Sequence, residues 1–315
     1  MDLTELTPDV FACLQPDLGL GCSNSGFVRA GGGAVIDTFW DLAHTRRMQE
    51  LYAGVARGPV QRVVNTHRNG DHCWGNQLFP GAEIIAHRTC AELFGLERPE
   101  AMQMLCEGGD SPDPTAREMS RRLARFDFRG IVPLPPTRLV EDRLELDLDG
   151  LAVHLIHVGP AHTAGDLLVH LPAQRIVFAG DVLFRLCTPI GWEGTTAAWL
   201  AALDTLVALD PQVIVPGHGP LCGLEGPREL RAYLEYVERE ARSFFAQGVD
   251  ETTAARRIDP GPYAGWTEPE RIVFNVARVY RELRGEPFDA PIAIGPLFAA
   301  MVELGRRRTA HPGHA

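Results

Sequence analysis

Six consecutive residues, His67 to His72, place two imidazoles, a carboxylate and an amide beside a glycine: His67-Arg68-Asn69-Gly70-Asp71-His72. Three further segments set a His or an Asp among small residues. They are Gly159-Pro160-Ala161-His162-Thr163-Ala164-Gly165-Asp166, Phe178-Ala179-Gly180-Asp181 and Pro216-Gly217-His218-Gly219-Pro220. Neutral imidazole and carboxylate oxygen are ligands that zinc accepts at roughly 2.0 to 2.2 Å. The flanking glycines and prolines let loops carry those side chains into one pocket. Together the segments predict one metal site, and Asp166 suits a carboxylate that orients a ligating histidine better than a ligand.

The ordered set His67, Asn69, Asp71, His72, His162, Asp181 and His218 resembles the H-x-H-x-D-H…H…D…H series of the metallo-β-lactamase superfamily over roughly residues 8 to 220. One position departs: Asn69 stands where the family has its second motif histidine. The resemblance implies a four-layer αβ/βα sandwich and two zinc ions per chain. The first ion would take His67, His162 and the Asn69 amide oxygen, the second Asp71, His72 and His218, with Asp181 bridging both. A neutral amide is a weak zinc ligand, so the first position should be partly filled; alternatively Asn69 only bonds a neighbouring loop. Two dications about 3.5 to 4 Å apart lower the pKa of a shared water toward about 7 and polarise a carbonyl. The expected reaction is hydrolysis of an acyl bond, with Asp71 as the catalytic carboxylate.

Strands and turns must deliver these ligands. Short strands are predicted at Val10 to Leu14, Gly26 to Ala30 and Ala34 to Asp37, with glycines 31 to 33 turning a hairpin, followed by a helix capped by Asp41 near residues 45 to 57. Val60 to Asn65 reads as a buried strand that ends on the motif loop. A strand at 82 to 86 and a helix at 89 to 96 follow. Strands at 151 to 158, 167 to 171, 175 to 179 and 212 to 215, with a helix at 196 to 209, then lead to His162, Asp181 and His218. The order implies two sheets packed face to face between helical layers. Residues 1–225 are therefore predicted as the catalytic domain, with 98–135 an inserted lid or wall. Residues 226–315 read as a helical cap or homodimer surface, with helices around 227 to 247, 250 to 258, 268 to 284 and 295 to 304.

Near the ligands, Trp74, Phe184, Arg185 and Trp192 are candidates to line the substrate pocket, Arg185 by pairing with an anionic group. Cys73 has no base set apart for it and is not expected to act as a nucleophile.

Composition narrows the partners. A net charge of -11 and a pI near 5.5 argue against a nucleic-acid surface. All 30 basic residues are arginine, so no lysine serves catalysis. Seven cysteines without a C-x-x-C pair fit a reducing compartment. With no signal peptide and no apolar run near 18 residues, a cytoplasmic protein without a membrane role is expected.

Within the superfamily the motif and the phrase Ile36-Asp37-Thr38-Phe39-Trp40-Asp41 are similar to the cyclase/thioesterases of bacterial aromatic polyketide pathways. That likeness implies an acyl or polyketide substrate, held on an acyl carrier protein and met by Arg117, Arg121, Arg122 and Arg125 of the insertion. A bulky acyl group implies a deep apolar cleft lined by Met102, Met104, Phe126, Trp74 and Trp192. Two other readings remain. His67, His162 and Asp181 form a two-His, one-carboxylate set of the type that holds Fe2+ in persulfide dioxygenases. A non-catalytic binding module on the same fold is the other.

Overall fold

In a computed structural model, residues 1–191, 193–288 and 290–310 are described. Two sheets divide the first two thirds of the chain. One holds, in order across the sheet, β1 (Asp2–Thr7), β2 (Val10–Leu14), β3 (Ser25–Val28), β4 (Ala34–Ile36), β5 (Arg62–Val64), β6 (Glu83–His87) and β7 (Arg138–Val140). The other holds β8 (Arg143–Leu148), β9 (Leu151–His157), β10 (Leu167–Leu171), β11 (Ile176–Phe184) and β12 (Val213–His218).

Period-two alternation builds the layers. In β2, Val10 and Ala12 face the second sheet, whereas Phe11 and Cys13 face outward. In β11, Ile176 and Phe178 meet the first sheet, and Val177 and Ala179 point to the helices. The outer face of the first sheet is covered by α1 (Leu42–Ala53) through Met48 and Tyr52. Asp41 caps this helix, its carboxylate accepting from the His44 N–H at 2.7 Å. After α2 (Gly70–Cys73) and α3 (Arg88–Glu92), the insertion contributes α4 (Pro99–Cys106) and α5 (Pro114–Leu123). Four helices cover the second sheet: α6 (Thr196–Ala208), α7 (Glu225–Ala246), α8 (Glu251–Arg257) and α9 (Ile272–Leu283). Helix, sheet, sheet, helix is the four-layer sandwich.

The last helix, α10 (Ile294–Ala310), packs with the insertion instead. Met119 and Leu123 of α5 share a buried cluster with Met301 and Val302 of α10 and Phe274 of α9. Arg122 bonds Glu118 within α5, and Glu268 and Glu270 before α9, at 2.9, 2.6 and 2.5 Å. The arginines expected to meet a carrier protein each have a partner within the chain, and three of them, Arg117, Arg121 and Arg125, stay exposed. Arg122 is an internal tie, Arg121 pairs with Glu118, Arg117 bonds the Ser111 and Pro112 carbonyls, and Arg125 reaches the Cys22 sulfur.

The sequence reading missed β1, β7 and β8. β1 and β8 carry exposed charges and only β8 alternates polar with apolar residues throughout, while β7 is three residues long. Among the described residues no helix is long and apolar enough to cross a membrane.

Candidate metal centre

The ligand candidates sit in the loop and short helix α2 after β5, in the loop after β9, in the irregular part of β11 and at the end of β12. β5 ends at Val64, and the chain turns through Asn65 and Thr66 into α2, whose first residue is Gly70. A Cβ at Gly70 would fall inside the Trp74 ring, so only glycine lets the motif pack this closely on its own tryptophan. The parallel ladder between β11 and β12 is irregular from Phe178 to Phe184, and Asp181 turns into the cluster from that stretch.

Asp181 organises the centre. Its Oδ2 lies 3.8 Å from His67 Nε2 and 3.3 Å from His162 Nε2. Its Oδ1 lies 3.2 Å from His72 Nε2 and 3.4 Å from His218 Nε2. Asp71 Oδ2 closes the second group at 3.4 Å from His218 Nε2 and 3.7 Å from His72 Nε2. Ligand atoms about 2.0 Å from one tetrahedral ion lie roughly 3.3 Å apart, which is the spacing found here. Asn69 directs its Oδ1 at His162 Nε2, 2.9 Å away, on the first side.

The donor set fits metal on a second count. His67 Nε2, His72 Nε2 and Asp181 Oδ1 are buried yet lack a hydrogen-bond partner among protein atoms, a costly condition that a metal removes. Meanwhile each Nδ1 is engaged: His67 with Thr66 Oγ1 at 3.1 Å, His72 with Asp37 Oδ2 at 2.9 Å, His162 with the Ile190 carbonyl at 2.7 Å and His218 with the Cys22 carbonyl at 3.1 Å. Fixing one ring nitrogen aims the other, the usual outer support of a metal-bound histidine.

Charge separates the ligands. Burial holds His67 and His162 below the usual imidazole range. Burial also opposes charge on His72 and His218, but Asp181 and Asp71 overcome it, raising His72 well above its ordinary value and His218 to about 10. Asp71 and Asp181 are buried too, and the histidines outweigh that burial and keep both carboxyls ionised.

Several supports were not foreseen. Asp37, at the end of β4, accepts from the Thr66 N–H and Oγ1, each at 2.7 Å, besides bracing His72. Glu97 accepts from Asn69 Nδ2 and, at 2.9 Å, from the Gly70 N–H. Glu193 pairs with Arg68 and accepts from the Ala164 N–H at 2.6 Å. An acidic residue closing a buried strand was the one signal available for Asp37. Asp166 does brace the His162 loop, accepting from the Thr163 N–H and Oγ1 at 2.9 and 2.6 Å, and burial pushes its carboxyl up to about 7.

A cavity of about 90 Å³ opens on the cluster. Leu20, Trp40, Met102, Leu105, Leu123 and Phe298 supply apolar wall, and Arg271 a buried guanidinium, so the insertion and α10 both cover the metal mouth. Of the predicted lining residues, Phe184 is placed as expected, stacked on His218 with ring centroids 5.1 Å apart. Two are not. Trp74 is in the core, edge-on to Phe128, and Trp40 takes the wall; Arg185 pairs with Glu229 on α7. Trp192 lies outside the described residues. Of the other cleft residues expected, Met102 lines the cavity, Met104 is exposed and Phe126 belongs to the buried cluster under the insertion.

A four-layer αβ/βα sandwich with a His/Asp cluster at one edge, split by one carboxylate, defines a class of metal-dependent enzymes. The chain belongs to the metallo-beta-lactamase superfamily, whose model matches residues 18–218. It is 36% identical over 227 residues to a hydroxyacylglutathione hydrolase of Acidiphilium cryptum, covering 72% of this chain and 74% of that one. A linear primary-alkylsulfatase of Pseudomonas sp. is 24% identical over 314 residues, covering 90% of this chain and 59% of the relative. A metallo-beta-lactamase family protein of Thermus thermophilus shares the fold at 19% identity and a TM-score of 0.64, covering 89% of this chain and 95% of its own. The chain spans between about half and three-fifths of the length of several curated relatives, the alkylsulfatase among them.

Proposed function

We propose that this chain is a hydrolase that holds two zinc ions and cleaves an acyl bond, a thioester first among them. The observation that carries this reading is the division of four histidines into two pairs by the two oxygens of Asp181. His67, His162 and Asn69 would hold one ion, Asp71, His72 and His218 the other. The bound pair would supply a water acidic enough to ionise near neutral pH and a Lewis acid for the carbonyl.

The chain's own groups do the rest. Asp71 reaches the cavity beside the second metal position, so its carboxylate can orient the attacking water by accepting its hydrogen bond. Phe184 holds the His218 ring flat against its face. The apolar wall keeps bulk water away. An acyl-glutathione, the substrate class named for the 36% identical relative, is a thioester, which supports the choice of bond. Cavity size bears on the acyl part. Pockets for drug-sized ligands run to roughly 300 Å³ or more, so about 90 Å³ favours a short acyl chain. A polyketide, free or on a carrier protein, would enter only with the wall parted. Seven unpaired cysteines support a reducing compartment such as the cytoplasm.

Hydrolysis of a series of acyl thioesters by zinc-loaded protein tests the proposal. Activity that falls with acyl length and is abolished in Asp71→Ala is expected. A second reading, cleavage of a sulfate ester, is favoured by the alkylsulfatase likeness over 90% of the chain. Sulfate release from an alkyl sulfate without any thioester cleavage would decide for it. The iron dioxygenase reading leaves Asp71, His72 and His218 idle although they converge; about one iron and no zinc per chain after purification would revive it.

A further inference from the structure

We propose that Glu97 is the positioning residue that makes Asn69 a metal ligand: its carboxylate holds the amide so that Oδ1 faces the first metal position. The inference rests on the metal-binding part of the reading above and not on the choice of substrate.

An asparagine at this place has a defect that histidine lacks. Its amide is nearly symmetric in shape, and a half-turn about the last side-chain bond would present NH2, which cannot ligate, in place of the oxygen. Something must break that symmetry. Here the nitrogen end of Asn69 donates to Glu97, while the oxygen end lies 2.9 Å from His162 Nε2, on the side of Asp181 Oδ2. The turned amide would set its oxygen against the Glu97 carboxylate, losing the hydrogen bond and adding repulsion, so an acceptor at this spot selects one orientation. Donation to a carboxyl oxygen also polarises the amide toward Oδ1, which offsets part of the weakness of a neutral ligand.

Glu97 is itself fixed by the motif that it serves. Its second oxygen accepts from the Gly70 N–H at 2.9 Å, the peptide next to Asn69. Arg68 stands 3.5 Å from the first oxygen and pairs with Glu193 on its other side. Glu193 in turn accepts from Ala164 in the His162 loop at 2.6 Å. Two ligand-bearing loops are thus tied through one part-buried arginine. Glu97 is one residue before the 98–135 insertion, so the segment that walls the cavity also supplies the support that Asn69 requires.

Stepwise dissociation constants for cobalt(II) and zinc, measured by competition with a chromophoric chelator, test the assignment. Asn69→Ala should weaken one of the two sites. Glu97→Ala should weaken the same site by about 10- to 100-fold, the usual range for outer support of a ligand, and leave the other within about twofold. The isosteric Glu97→Gln, which keeps the packing should Glu97→Ala fail to fold, should give a smaller loss of the same site and a shifted cobalt d–d spectrum for that site alone. In the Asn69→Ala background, replacing Glu97 should cost nothing further. Equal losses at both sites, an undiminished loss in that background, or Asn69→Ala without effect would each overturn the proposal. Wild-type protein that shows this pattern but hydrolyses no thioester would remove the substrate reading and leave this one standing.

Discussion

The two halves of the centre are built from different parts of the molecule. On the Asp71, His72, His218 side, support comes from the sandwich itself: Asp37 at the end of β4 braces His72, and the Cys22 carbonyl braces His218. On the His67, Asn69, His162 side, Thr66 and the Ile190 carbonyl, in the loop after β11, brace the histidines, but Asn69 is held from the cover, through Glu97 at the root of the insertion. One half inherits the rigidity of buried strands, and the other depends on how the insertion sits. A chelator should therefore strip the Asn69 side first.

Asp181 belongs to both halves, so its loss should erase the comparison. Asp181→Asn is expected to release both metals and cost about 10³-fold or more in kcat/KM, since roughly 4 kcal/mol of metal assistance disappears; elemental analysis and thioester kinetics check it. Next is Asp37→Asn. It should weaken the His72 side by about 10- to 100-fold and spare the Asn69 side, the mirror image of Glu97→Ala. If both sites weakened together, the halves would not be separable.

A third test uses protons. In the metal-free protein His72 and His218 are held protonated at neutral pH by Asp181 and Asp71, and both must give up a proton to ligate. Loading metal near pH 7 should release about two protons, chiefly on the Asp71 side, and apparent affinity there should climb with pH until His218 deprotonates near 10. Calorimetry in buffers of different ionisation enthalpy counts the protons; none released would contradict the charge state. The smallest effect concerns the cover. Met102→Ala should enlarge the cavity and improve kcat/KM for a longer acyl chain by about tenfold, a methylene or two of fit, without altering either metal constant.

The convergence of the ligand candidates was legible because ligation needs particular residue types, and glycines mark loops that can bring them together. Their supports were not, because any carboxylate that packs beside the right ring will serve. Asp37 lies 35 residues from His72, Glu97 28 residues from Asn69, and only packing joins each pair. Direction was equally hidden: Trp74 and Arg185 are close to the ligands in sequence, yet each turns away from the cavity while Trp40 and Arg271, far along the chain, turn in. The strands delivering the motifs were found from their apolar runs, and the polar edges of the sheets were not.

The chain at Gly217 lies directly against Asp181, and a Cβ built there would overlap Oδ1. The oxygen that faces His72 and His218 thus occupies room that any other residue would claim. Even alanine at that point would push the shared carboxylate out of register with both histidine pairs. Substitutions in the insertion and the final helix meet no such obstacle, so the ceiling of the site has a freedom that its floor lacks.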